Sequence, residues 1–101
     1  MISLGTAALF DDSTAHRVSL AITWEREHAW SGILGGSLDW HDLLGRQLEL
    51  DIPGSLAPGE RPVMTDVIID AVLENGNEAR ARGTIRGPAE RSARLRSLSR
   101  A

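Results

Sequence analysis

The chain has 101 residues, a quarter of them charged, with no cysteine and a net charge of −3. That length suits one domain, and the absence of cysteine excludes disulfides and thiolate metal sites while agreeing with a reducing compartment such as the cytoplasm. No apolar run reaches the roughly 20 residues that a membrane-spanning helix needs, so no membrane partner is expected.

The apolar start, Met1 to Phe10, lacks the basic residues of a secretory signal; Gly5 interrupts it and Asp11-Asp12 follow at once. It reads as a β-strand over residues 2–10. The next segment, His16 to Glu25, alternates strictly: Val18, Leu20, Ile22 and Trp24 share one face and small or polar residues take the other. Such alternation marks a strand with one dry side. Residues 29–34 form a third strand. With Arg26-Glu27-His28 as the connection, Trp24 faces Trp30, Ile22 faces Gly32 and Leu20 faces Leu34. A slip of one residue would turn one strand inside out, and an aromatic cross-strand pair adds about 0.5–1 kcal/mol.

A short helix is expected at about 38–44. Ser37 is placed to cap it, Trp40, Leu43 and Leu44 share a face, Asp39 and Asp42 suit its positive end, and Gly45 can close it. Leu48, Leu50 and Ile52 then alternate as a fourth strand. Three prolines and two glycines in residues 53–62 exclude a regular element there.

The last two strands carry Val67, Ile69 and Ala71, then Ala79, Ala81, Gly83 and Ile85, on their apolar faces. A three-residue loop, Asn75-Gly76-Asn77, pairs Asp70 with Arg82, Asp66 with Arg86, Ala71 with Ala81 and Val67 with Ile85. A two-residue Asn75-Gly76 turn would instead put Arg80 beside Ala71, so the longer loop is preferred. The alternation stops at Pro88. The expected organisation is one β-domain over 1–87 and a flexible basic tail over 88–101. Six strands of this kind close as a small antiparallel barrel or pack as a two-sheet sandwich, with the helix between strands 3 and 4.

Charge follows the same division. Residues 1–85 hold 13 acidic and six arginine side chains, a net −7, whereas residues 86–101 hold five arginines and Glu90, a net +4. All 11 basic residues are arginine, scattered over most of the chain, which fits compositional bias better than a dedicated anion site. The acidic body opposes nucleic-acid binding, and the basic tail has no aromatic residue on which a base would stack.

No motif specifies a reaction, and no cofactor is expected. His16, His28 and His41 lie 12 and 13 residues apart, so no strand or helix supplies two imidazole ligands. Asp66 and Asp70 are accounted for as ion-pair partners of arginines. There is no serine in a Gly-x-Ser-x-Gly setting and no phosphate loop. The reading that follows is a non-catalytic protein-interaction or self-associating module, a dimer first among homo-oligomers. Its expected contact residues are the outward Ile68 and Val72, with Ile33 also outward, and the tail residues Arg91, Arg94, Arg96 and Arg100. A second reading is a β-barrel ligand carrier or enzyme. Its pocket would be walled by Trp24, Trp30 and Trp40, with His28 and His41 at the rim and the 53–62 loop as a lid.

Overall fold

The computed structural model describes residues 2–12, 14–26 and 28–88. Six strands are present: β1 (Ser3–Asp11), β2 (Thr14–Arg26), β3 (Ala29–Gly35), β4 (Gln47–Ile52), β5 (Val63–Val72) and β6 (Glu78–Pro88). They close into an antiparallel barrel in the order β1-β2-β3-β6-β5-β4. Closure decides between barrel and sandwich, and it pairs the strand edges that an open sheet would expose. The last strand runs through Pro88, one residue past the expected boundary; the rest of the expected tail, 89–101, with its four arginines, lies outside the described residues.

Alternation determines the inside. Ala7 and Leu9 of β1, Val18, Leu20 and Ile22 of β2, Trp30 and Leu34 of β3, and Leu48, Leu50 and Ile52 of β4 are buried. Val67 and Ile69 of β5 and Ala79 and Ala81 of β6 complete the ring. Buried Thr65 satisfies its hydroxyl by donating to the Leu50 carbonyl at 3.3 Å, which offsets the cost of a polar group inside. The apolar side chains among these form one cluster inside the barrel.

The β2–β3 register is as expected: Trp24 opposite Trp30, Ile22 opposite Gly32, Leu20 opposite Leu34. The helix α1 (Trp40–Leu43) is a single turn, shorter than expected. Its cap is Asp39, not Ser37; the Asp39 side chain accepts from the Asp42 N–H at 3.3 Å. Ahead of the helix, the Trp40 indole donates back to the Gly36 carbonyl at 3.0 Å. Gly45 takes φ +77° just beyond the helix, and buried Trp40 and Leu43 hold this single turn on the barrel. In the 53–62 segment two isolated 3-10 turns appear, Gly54–Leu56 and Pro58–Glu60.

The β5–β6 hairpin corrects the expected register. Ala71 lies opposite Arg80 and Val72 opposite Ala79, the pairing that a two-residue turn would produce. The loop itself is longer: the Leu73 N–H donates to the Glu78 carbonyl at 2.9 Å, enclosing residues 74–77, with Gly76 at φ +72°. A bulge at Asp70 then absorbs one residue, and Ile69 resumes opposite Ala81. Val67 faces Gly83, not Ile85. The bulge reconciles what a regular ladder cannot, a turn that favours Arg80 beside Ala71 and a core that needs Ile69 and Val67 inside. The ion pairs survive as diagonal contacts, Arg82–Asp70 at 3.5 Å and Arg86–Asp66 at 3.7 Å. Arg86 also reaches across β5 to Glu49 on β4.

Candidate functional site

The aromatic residues do not form one pocket. Trp24 and Trp30 are cross-strand partners at the start of β3. Trp40 is tied to Gly36, just past the other end of that strand. The six residue-to-residue steps from Trp30 to Gly36 span about 20 Å of extended chain, so Trp40 and exposed His41 sit at the opposite barrel end from Trp24 and exposed His28. Trp30 and Trp40 are each only 1% exposed and belong to the core.

Trp24 is half-buried, and its indole N–H donates to the Leu56 carbonyl at 2.8 Å. Leu56 and Ala57 pack against the core beside it. The 53–62 segment therefore closes this end of the barrel as a packed plug. Beside it an open groove, lined by Ser3, Trp24, Arg26 and Ser55, keeps one edge of Trp24 accessible. The Trp30 indole N–H is buried with no acceptor. It lies against Gly83, where a Cβ would come within 2.6 Å of Nε1 and 2.7 Å of the Asp66 carbonyl oxygen.

Of the two apolar residues expected outside on β5, Ile68 is 40% exposed. Val72 is not outside: the bulge at Asp70 turns it inward, and it packs against the core. The largest exposed apolar side chains are instead Leu4, at 74%, and Ile2, at 65%. Leu4 pairs with Ala21, and Ala21 with Ile33, so these three form one row across the outer face of β1, β2 and β3. Ile33 was legible as an outward residue from its alternation with Trp30. Leu4 carries the same signal relative to Ala7 and Leu9, but the small residues between them blur it.

Among the described residues, no group of three or more histidine, aspartate or glutamate side chains is arranged to hold a metal ion, and no helix is long and apolar enough to cross a membrane. Comparison with protein-family models finds no match. Comparisons with curated proteins and with solved structures find no significant similarity.

Proposed function

We propose that the protein is a non-catalytic binding module that works through the outside of its barrel, and that its first partner is a second copy of itself. The observation that carries this reading is the outer row of Leu4, Ala21 and Ile33, with Leu4 74% exposed. Covering a leucine side chain completely contributes about 1.5–3 kcal/mol, and a two-fold symmetric contact uses each such residue twice. The inward-facing side chains pack as one apolar cluster, which supports the same reading. Closure supports association face to face, since the paired strands offer little edge for a further strand. The cysteine-free composition suits a reducing compartment, and the cytoplasm is the proposed location.

Sedimentation equilibrium tests it, at concentrations on the order of tens of micromolar. The expected result is a dimer that Leu4→Glu converts to a monomer with unchanged far-ultraviolet circular dichroism. A strictly monomeric parent protein, or a dimer indifferent to Leu4→Glu, would overturn the reading.

A further inference from the structure

The seam between β1 and β4 is short. Only Ala8, Leu9 and Phe10 pair with β4, although β1 begins at Ser3. On the outer side of this seam Ala8 stands between two charged residues, opposite Arg17 on β2 and opposite Asp51 on β4. Arg17 and Asp51 are therefore two strand spacings apart at the backbone, about 9–10 Å, over a floor no taller than a methyl group. Thr6, Ala15, His16 and Pro53 complete a groove of about 410 Å³.

Neither charge is answered by another described side chain. Among the described residues no side-chain hydrogen bond or ion pair involves Arg17 or Asp51. Elsewhere on the surface five acids are paired with arginines: Asp11, Asp42, Glu49, Asp66 and Asp70. Asp51 is also half-buried, and burial pushes its carboxyl above the usual carboxylate range. A partly desolvated carboxylate and a free guanidinium, held apart by an alanine in a concave site, form a template for a molecule with complementary ends.

We propose that this groove binds a small zwitterion of amino-acid or dipeptide size, with its ammonium group on Asp51, its carboxylate on Arg17 and its carbon skeleton over Ala8. A two-residue peptide is at most about 7 Å long, and with a charge-assisted hydrogen bond of about 2.8 Å at each end it spans about 12–13 Å, a little more than the roughly 9–10 Å between the two backbones, which leaves the long Arg17 side chain to take up the difference. The guanidinium supplies the planar pair of donors that a carboxylate accepts best. The small residues beneath leave space for the skeleton, which a larger side chain at position 8 would occupy. This site is separate from the Leu4 row and does not depend on dimer formation.

The test is calorimetric titration with alanyl-alanine, alongside its N-acetylated and C-amidated forms, with backbone amide shifts recorded in parallel. Saturable binding of the free dipeptide is expected, with shifts at Thr6, Ala8 and Ala15. Blocking either end should weaken binding about tenfold or more. Asp51→Asn should abolish the preference for a free ammonium group, and Arg17→Gln the preference for a free carboxylate. Both residues lie outside the core, so both variants should fold. Ala8→Leu should fill the groove and remove binding with the charges intact. Leu4→Glu should leave binding unchanged even where it abolishes dimerisation. The proposal is overturned if no saturable response develops up to about 10 mM, a weakness below any specific contact of this kind. It is equally overturned if the blocked dipeptides bind as well as the free one, or if Asp51→Asn and Arg17→Gln bind as the parent does.

Discussion

Trp30 and Gly83 are cross-strand partners, and the indole of one occupies the space that a side chain on the other would need. A tryptophan of the barrel is thus accommodated by the smallest residue on the adjoining strand. A Cβ at position 83 would lie 2.6 Å from Trp30 Nε1 and 2.7 Å from the Asp66 carbonyl oxygen. The second neighbour is backbone and cannot swing away. Gly83→Ala should therefore destabilise the protein by about 1–3 kcal/mol through overpacking, read from the midpoint of urea unfolding. A loss under about 0.5 kcal/mol, the ordinary range for a surface change, would contradict the close approach.

The two paired tryptophans should respond differently to truncation. Trp30 is 1% exposed, so Trp30→Ala should cost about 3–5 kcal/mol. Trp24 is half-buried and bonded to the Leu56 carbonyl. Trp24→Ala should cost less, and should loosen the 53–62 segment by removing its anchor. Hydrogen exchange across residues 54–61 reads the second effect. Equal losses for the two variants, with no change in exchange, would contradict the assigned roles.

The bulge at Asp70 makes opposite predictions for two neighbouring apolar residues. Val72 packs inward, so Val72→Ala should destabilise by roughly 1 kcal/mol or more. Ile68 is 40% exposed, and Ile68→Ser should stay within about 0.5 kcal/mol. A regular ladder would leave both side chains on one face, with similar small effects.

Asp51 ties stability to pH. Burial raises its carboxyl pKa in the folded state, so between the ordinary and the raised value the native protein holds more protons than the unfolded chain. Stability then falls as pH rises through that window. The destabilisation is fully present above the raised value and absent below the ordinary carboxylate range. Asp51→Asn removes the ionisable group. Its Tm should exceed that of the parent at about pH 7, and the difference should close at about pH 3. A gap independent of pH, or a lower Tm for the variant at neutral pH, would contradict desolvation as the cause.

Local periodicity made most of the fold legible. The faces of β2 and β4 follow from Val18, Leu20, Ile22 and from Leu48, Leu50, Ile52, and the like-faces rule places Trp24 against Trp30. The turn of helix follows from the spacing of Trp40 and Leu43. What stayed hidden depends on contacts remote in sequence or on single-residue irregularities. Closure rests on three pairs between β1 and β4, and nothing local to Ala8 or Asp51 announces it. The Asp70 bulge satisfies both the turn and the core, a compromise that a uniform register cannot represent. The Arg17–Ala8–Asp51 groove was illegible for the same reason as the closure, because it exists only once β1 lies between β2 and β4.

The central claim is that this barrel acts through its outer β1–β2–β3 face, and backbone amide shifts followed through a dilution series test it most directly. The account predicts concentration-dependent shifts concentrated at Leu4, Ala21 and Ile33, absent in Leu4→Glu, with the interior residues Leu34 and Leu50 unchanged. Shifts independent of concentration, or clustered away from that row, would contradict it.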